Sequence, residues 1–188
     1  MTVVSHFDRS WADVHGIEGA AFSNDPQDSG GATKHGVTEA VARAHGYTGP
    51  MEALPPERAR AIAKTQYWDA LNLDAIAGLS PRIAHEIFEC GFNCGLGTAG
   101  TFLQRCLNVL NRSDLPNGPH WPDLALDGHL GAVTVNALKL FLAQRGKAGE
   151  FLLLKMLNAL QGARYIVLAE RRTKDEKFVY GWFNRRVA

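Results

Sequence analysis

The segment from Ser23 to Thr38, SNDPQDSGGATKHGVT, decides how the first part of this 188-residue chain folds. It follows Ile17-Glu18-Gly19 and contains one proline, three glycines, one asparagine and two aspartates. These residue types favour turns and interrupt helices. The sequence therefore predicts a helix that ends near Glu18, followed by a loop or a small β-hairpin within residues 20–37.

The helix before this segment is predicted from the spacing of its apolar residues. They recur every three or four positions and so share one helical face: Phe7, Trp11, Val14 and Ile17. Ser5 and Asp8 have approximately the spacing of a capping box, which favours a helix start at this point. Gly19 is typical of a helix end.

Helical signals continue through most of the chain. Apolar spacing and boundary residues predict six further helices, over residues 38–45, 55–72, 81–95, 98–110, 132–145 and 150–172. Thr38 and Ser80 are predicted to cap the first and the third of these helices. Residues 178–183 are aromatic and are predicted to be extended. The connection over residues 111–131 carries three prolines and three glycines, so it favours turns. We expect a mainly α fold of two lobes, residues 1–110 and 111–188.

The charge of the chain argues against a nucleic-acid-binding protein, because 20 basic residues are balanced by 19 acidic ones. The distribution is uneven, since Gln161 to Ala188 holds seven Lys and Arg residues and three acidic residues. A basic segment of this kind can attract an anionic surface. The alternative interpretation is a solvated helix face.

Export and membrane signals are absent from the parts of the sequence where they would be expected. The first residues, MTVVSHFDRSW, carry neither the basic nor the apolar region of a signal peptide. The most apolar run, residues 151–169, is interrupted by Lys155, Gln161 and Arg164, so we expect no membrane span. Synthesis in the cytoplasm is expected.

Metal and nucleophile motifs are weak. The sequence contains no G-x-S-x-G motif and no glycine-rich phosphate loop. Residues 85–89, HEIFE, resemble the zinc motif H-E-x-x-H, but Glu89 replaces the second histidine. The alternative is that Glu86 and Glu89 face solvent or make local contacts. Three residues suggest calcium but lack the twelve-residue ligand pattern: Asn24, Asp25 and Asp28.

Cysteine and histidine residues do not form a recognisable ligand set. Cys90, Cys94 and Cys106 are an odd number for a disulfide framework, and they do not fit a four-ligand zinc site. Free, mostly buried thiols are expected. His35 and His45 are interpreted as surface or loop residues. The sequence therefore predicts neither a metal nor a cofactor.

Cleavage of a glycosidic bond is the chemistry that the first segment permits. The reaction needs an acid that protonates the leaving oxygen and a second group that stabilises the sugar cation or activates water. Glu18 at a helix end, partly covered by apolar side chains, would keep its proton near neutral pH. Asp28 in a glycine-rich loop would stay ionised, and Thr33 could hold the attacking water. A loop built only of Asx-turns would have the same composition.

These residues resemble the signature of glycoside hydrolase family 108, which contains phage-type endolysins and related N-acetylmuramidases of the lysozyme-like superfamily. The family form is E-G-G-Y-x-N-D-P-x-D-x-G-G-x-T-x-x-G-I-T, and the similar run here extends from Glu18 to Thr38. The present chain has one additional residue between Gly19 and Phe22, and we expect a bulge to absorb it. Four later segments are similar to family motifs: residues 89–95, 103–110, 127–134 and 181–185, the third resembling a predicted peptidoglycan-binding part.

The resemblance implies a lysozyme-like helical fold and cleavage of the β-1,4 bond between N-acetylmuramic acid and N-acetylglucosamine. Glu18 would be the catalytic acid, Asp28 the second carboxylate and Thr33 the loop threonine. Asn93 and Asp25 would bind substrate, with Asp25 as the alternative carboxylate. The expected protein is a monomer without cofactor that binds peptidoglycan glycan strands. Its basic C-terminus would contact the anionic envelope.

Two other functions remain open at this point. A non-catalytic peptidoglycan-binding or scaffold protein could keep the same fold, and an amidase or peptidase could act on the stem peptide. Action on the cell wall would require release by a holin or export by a dedicated secretion machine. Aromatic side chains that could line a glycan cleft, or alternatively fill the core, are Tyr67, Trp68 and Trp121.

Overall fold

The computed structural model describes residues 4–18, 21–24, 31–112 and 120–187, with the side chains of Ile17 and Glu18 excepted. These residues form eight α-helices and one two-stranded hairpin, which confirms the predicted mainly α fold. The helices are α1 (His6–Glu18), α2 (Glu39–Ala44), α3 (Pro56–Ala63), α4 (Leu73–Ala77), α5 (Pro81–Cys94), α6 (Leu96–Leu110), α7 (Ala132–Arg171) and α8 (Glu176–Arg186). Two short 3-10 helices and a π-helix cover Met51–Ala53, Thr173–Asp175 and Lys64–Asp69. The chain divides into two compact units, Met1–Ala70 and Leu71–Ala188.

The hairpin lies at the C-terminal end of the turn-rich segment. Strands β1 (Thr33–Lys34) and β2 (Val37–Thr38) are antiparallel, with Thr33 opposite Thr38. The turn between them places His35 at φ 54°, in the left-handed region. The predicted hairpin is therefore confirmed, and it ends one residue beyond the predicted range.

The first unit begins as its capping residues predict. The Ser5 hydroxyl accepts the Asp8 N–H at 3.1 Å and donates to the Asp8 carboxylate at 2.7 Å. Phe7 and Val14 on the apolar face of α1 are buried. Arg60 of α3 donates to the Asp8 carboxylate at 3.0 Å, and its guanidinium lies 5.2 Å from the centre of the Phe7 ring. One arginine thus fixes the first turn of α1 against α3.

The helix predicted over residues 55–72 is interrupted by a wider turn. After α3 the chain forms the π-helix Lys64–Asp69, and a π-turn inserts an additional residue into the helical repeat. Tyr67 and Trp68 are consequently buried side by side. Ala70, which regular spacing predicts to face inward, is exposed. The prediction of one regular helix is wrong here because the π-turn rotates every later side chain.

The second unit is built around the neighbouring helices α5, α6 and α7. The Ser80 hydroxyl accepts the Ile83 N–H at 3.1 Å, which confirms the predicted cap of α5. Gly95 separates α5 from α6 with φ 89°, a conformation that glycine adopts without strain. The buried face of α5 comprises Ile83, Ala84, Ile87, Phe88, Glu89, Cys90 and Gly91.

Two asparagine side chains, one in α6 and one directly after it, hold the segment that begins at residue 120. Asn108 binds one residue twice: its Nδ2 donates to the Leu124 carbonyl at 2.9 Å, and its Oδ1 accepts the Leu124 N–H at 2.8 Å. Asn111 repeats the pattern one turn later, donating to the Trp121 carbonyl at 2.6 Å and accepting the His120 N–H at 2.9 Å. Each amide replaces a backbone partner that an irregular segment lacks.

Gln104 adds a third amide on the same face of α6. Its Oε1 accepts the Gly128 N–H at 2.9 Å, while its Nε2 donates to the Asp127 carboxylate at 2.7 Å and to the His129 carbonyl at 3.0 Å. Gly128 approaches α6 so closely that a Cβ placed on Gly100 would lie 2.0 Å from the Gly128 carbonyl oxygen. The backbone of the loop at Gly128 is therefore in direct contact with the backbone of α6.

Helix α7 is long but broken. Gly146 has φ 56° and ψ −146° inside it, so residues 132–145 and the part after Gly146 form two helices, as predicted. Among the described residues, α7 is the one helix that is long and apolar enough to cross a membrane. Its most apolar 18 residues have a mean hydropathy of 1.3. Length and composition alone are weak evidence of a span, because core helices meet the same criterion.

The C-terminal aromatic residues are helical, so the predicted extended conformation over residues 178–183 is wrong. Phe178 and Trp182 stack across one turn of α8 with ring centres 6.0 Å apart. Trp182 also lies 5.0 Å from the ring of Tyr165 in α7. Aromatic residues four positions apart are neighbours on a helix, and packing against α7 outweighs their preference for strands.

Candidate functional site

The end of α1 and the hairpin form the candidate site. Glu18 is the last residue of α1. Ser23, five residues later, forms an antiparallel bridge with Thr33 at the start of β1. The Thr33 N–H donates to the Ser23 carbonyl at 2.8 Å, and the Ser23 N–H donates to the Thr33 carbonyl at 2.9 Å. The hairpin is therefore paired with backbone only five residues beyond Glu18.

The Thr33 side chain is half-buried and locally held. Its hydroxyl donates to the Gly31 carbonyl at 3.2 Å. Since a hydroxyl has one proton and two lone pairs, the Thr33 oxygen keeps acceptor capacity for a water molecule. This geometry is compatible with the predicted role of Thr33, which stays a prediction.

Two histidines join the hairpin to α1. His15 lies three residues before Glu18, and its Nε2 is 2.9 Å from Nδ1 of His35 in the hairpin turn. The His15 ring also stacks on Trp11, with centres 5.1 Å apart and planes inclined by 29°. His35 lies in a turn, which agrees with the loop interpretation, but it is only 5% exposed and therefore not a surface residue. The sequence missed this pair because nothing local brings residues 15 and 35 together.

The surroundings of His35 keep it neutral. Burial lowers its pKa, and the nearby charges of His15 and Lys34 lower it further. A hydrogen bond to the Leu54 backbone and the charge of Glu57 act in the opposite direction. Because the folded pKa lies below the unfolded one, His35 contributes stability at pH values above about 6.5, and this contribution is lost as the pH falls through the folded pKa.

The other predicted site residues fall in two groups. Asp25, Asp28 and the side chain of Glu18 lie outside the described residues, so their roles stay predictions. Asn93 is in the last turn of α5, in the second unit. Its Nδ2 donates to the Glu89 backbone carbonyl at 2.9 Å and to the Glu89 carboxylate at 3.3 Å. A contact of Asn93 with substrate also stays a prediction.

The aromatic side chains considered for a glycan cleft are core residues. Trp68 is completely buried, Trp121 is 4% exposed and Tyr67 is 9% exposed. Trp68 makes an edge contact with Phe7, and Trp121 makes one with Phe141. The structure therefore favours the core alternative for all three.

The cysteines are free, with Cys90 and Cys106 buried and Cys94 half-buried, as predicted. A hydrogen bond from Cys90 and the charge of Arg164 lower the pKa of the Cys94 thiol to about 7, and the pKa of Cys90 is raised. Within the described part of the chain, no group of three or more His, Cys, Asp or Glu side chains could hold a metal ion.

Glu86 is half-buried and its Oε1 atom is fully buried, contrary to the interpretation that it faces solvent. It lines a small cavity with residues of α5, α6 and α7, and its Oε1 has no hydrogen-bond partner among the described residues. Burial raises the pKa of the Glu86 carboxyl to about 7, although a hydrogen bond from Asn158 opposes the shift. Because the folded pKa is raised, the contribution of Glu86 to the free energy of unfolding is largest below pH 4.5. This contribution is lost as the pH rises through about 7.

Replacing this carboxyl should therefore stabilise the protein only at high pH. We expect Glu86→Gln to raise the free energy of unfolding at pH 9 by up to about 3 kcal/mol, since one pKa unit corresponds to about 1.4 kcal/mol. At pH 4.5 the gain should vanish. The new amide can donate to Gln161, whose Oε1 lines the same cavity without a partner. Denaturant unfolding at both pH values measures the difference, with exposed Glu170→Gln as control. An equal effect at the two pH values would contradict the raised pKa.

Comparison with known families agrees with the position of the candidate site. The family model described as glycosyl hydrolase 108 matches residues 11–95, which include all of α1 after its first turns, the hairpin and α5. Residues 11–95 belong to glycosyl hydrolase family 108. The rest of the chain, residues 98–187, matches a family described as a predicted peptidoglycan domain. The two regions together identify a glycoside hydrolase that acts on peptidoglycan.

The chain is also similar to a solved structure, SagA of Brucella abortus. The TM-score is 0.66 at 23% identity, and the alignment covers 95% of this chain and 88% of SagA. At this identity the similarity concerns the fold. A comparison with curated proteins gives no match.

Proposed function

We propose that the protein is an N-acetylmuramidase that cleaves the β-1,4 bond between N-acetylmuramic acid and N-acetylglucosamine. Glu18 is the general acid, Asp28 the second carboxylate and Thr33 the residue that holds water. Asn93 and Asp25 bind the glycan. The observation that carries the proposal is the hairpin, which begins with Thr33 and pairs with Ser23 close to the end of α1, within the region of the glycosyl hydrolase match.

The proposed reaction divides the chemistry between a protonated and an ionised carboxyl group. Glu18 donates its proton to the glycosidic oxygen as the bond to the sugar carbon breaks. Asp28 stabilises the positive charge that develops on the sugar ring or activates the water that attacks it. Thr33 orients that water with its hydroxyl oxygen. We assign catalysis to residues 1–110 and glycan binding to residues 111–188.

Analysis of the products tests this proposal. Purified peptidoglycan incubated with the full chain should gain reducing ends, and borohydride reduction should convert them to reduced N-acetylmuramic acid. The number of free amino groups should stay constant, with or without EDTA. New amino groups would indicate an amidase or peptidase instead. Binding to peptidoglycan without any new ends would indicate a non-catalytic binding protein.

We also propose that the basic C-terminal region contacts an anionic envelope surface. Arg171, Arg172 and Arg185 are exposed, and each basic residue near an anionic lipid surface contributes about 1 kcal/mol. The double variant Arg171→Glu, Arg185→Glu should therefore bind phosphatidylglycerol vesicles at least about 20-fold more weakly at low salt. Co-sedimentation measures binding, and exposed Arg105→Glu of α6 is the control. Equal binding by both variants would favour a merely solvated helix face.

A further inference from the structure

Two imidazole rings meet at the candidate site without a part in the proposed reaction. His15 stacks on Trp11 of its own helix and reaches His35 at 2.9 Å. The two ring centres are 5.0 Å apart. His35 is 5% exposed and sits in the turn that joins β1 to β2. The contact therefore links the second half of α1 to the tip of the hairpin.

The hairpin needs such a link because its own pairing is short. Each strand has two residues, and an isolated two-stranded ribbon is at best marginally stable in water. The apolar side chains of Ala32 and Val37 are buried, which anchors the hairpin through contacts that have no preferred direction. A directional hydrogen bond does so, since donor and acceptor must stay aligned.

We propose that His15 and His35 are positioning residues of the glycan-cleaving site, whose ring-to-ring hydrogen bond fixes the hairpin that begins with Thr33 against the end of α1. The inference rests on the proposed function, in which Thr33 and Glu18 must face the same glycosidic bond. An error of about 1 Å between reacting groups can lower a rate about 100-fold. The link acts through the hairpin and does not touch substrate.

The hydrogen-bond partners of the two rings determine which ring nitrogens carry a proton. His35 Nδ1 faces His15, which leaves its other ring nitrogen to donate to the Leu54 backbone. Neutral His35 therefore accepts from His15, and a singly protonated pair keeps the bond, with the charged ring as donor. A second proton leaves two donors facing each other. The other charged groups near His35 are Lys34 of β1, which also disfavours its protonation, and Glu57 of α3, which favours it.

Two replacements of His15 distinguish the effect of losing the hydrogen bond from the effect of protonating both rings. His15→Gln places an amide nitrogen where the ring Nε2 was, and an amide can donate to neutral His35 or accept from charged His35. This variant should keep activity at pH 7 within about twofold. Relative to the wild type, its rate should rise about three- to tenfold as the pH falls through the lowered pKa of His35, because no second charge forms. His15→Leu removes the bond at every pH and should lose about three- to tenfold of kcat at pH 7.

The measurement is the release of reducing ends from peptidoglycan between pH 4.5 and pH 8, with thermal midpoints recorded for each protein. His45→Ala is the matched control, because His45 makes a similar 2.9 Å contact with Gln66 elsewhere in the same unit. It should leave the shape of the pH profile unchanged. A constant ratio of His15→Gln to wild-type rates over the whole range from pH 4.5 to pH 8 would overturn the inference. Equal losses by His15→Gln and His15→Leu at pH 7 would overturn it as well.

The inference and the proposed function fail in different ways. If Glu18→Gln keeps its full rate, the proposed acid is wrong, whatever the histidine variants do. If Glu18→Gln is inactive while His15→Leu and His15→Gln match the wild-type rate and pH profile, only the positioning role is wrong. If the His15→Leu protein is destabilised, the pH profile of His15→Gln still tests the positioning role.

Discussion

Replacing Glu18 with glutamine is expected to lower the rate of glycan cleavage about 100- to 10,000-fold. A general acid typically contributes this factor, and the amide of glutamine has no proton to give to a leaving oxygen near neutral pH. Binding of peptidoglycan should change little, since glutamine keeps the shape of the side chain. Release of reducing ends measures the rate, and pull-down with insoluble peptidoglycan measures binding.

The control for this experiment is Glu52→Gln, which removes an exposed carboxylate of the same unit. It should leave the rate and the thermal midpoint unchanged. A Glu18→Gln protein that cleaves glycan as fast as Glu52→Gln would remove Glu18 from the mechanism. If both proteins were inactive and unfolded, the carboxylates would matter for the fold instead.

Replacing Gly100 with alanine is expected to destabilise the second unit by about 2–4 kcal/mol. Its Cβ would lie 2.0 Å from the carbonyl oxygen and 2.6 Å from the carbonyl carbon of Gly128. The obstructing atoms are backbone, and Gln104 holds them in place, so no side chain can rotate to make room. Overpacking costs typically 1–3 kcal/mol and occasionally more. Denaturant unfolding should detect this loss as a lower midpoint.

A neighbouring glycine provides the matched control. Gly97 lies in the same helix α6 and is exposed, and a Cβ placed on it would meet no atom within 4 Å. Gly97→Ala should therefore stabilise the protein by about 0.5–1 kcal/mol, which is the usual gain within a helix. The two substitutions are chemically identical and should have opposite signs. If Gly100→Ala were also stabilising, the loop would have to move away from α6 at little cost.

Local signals of the sequence predict local structure well in this protein. The hydroxyls of Ser5, Thr38 and Ser80 each accept a backbone N–H at the start of a helix, where their positions predict it. Such caps depend on residues three positions apart. Turn composition likewise predicts the hairpin, because glycine and its neighbours determine which backbone angles are available.

Features that depend on packing are not predicted. The π-turn at Lys64–Asp69 changes which side chains face the core, and no residue type marks it. The helix at residues 176–186 forms because its aromatic rings pack on α7. The half-buried position of Glu86 also follows from the packing of three helices. In each case the deciding contact joins residues far apart in the chain.

The candidate site likewise contains residues that local sequence signals predict and a contact that depends on packing. The signature from Glu18 to Thr38 predicts which residues carry the chemistry, and it lies within the region of the family match. The roles of the individual residues stay predictions. The contact of His15 with His35 joins two positions 20 residues apart. His15 precedes the signature, and His35 occupies a position that the signature leaves unspecified. Supporting residues of this kind become visible only when the hairpin and α1 are seen together.

Three side-chain amides in and directly after α6 give the segment that begins at residue 120 an unusual exchange behaviour. The backbone N–H groups of His120, Leu124 and Gly128 lie outside any helix or strand, yet each donates to the oxygen of one of these amides. Their deuterium uptake should therefore follow that of the core helix instead of that of an open loop. The amides of this irregular segment should therefore exchange only when α6 itself unfolds locally.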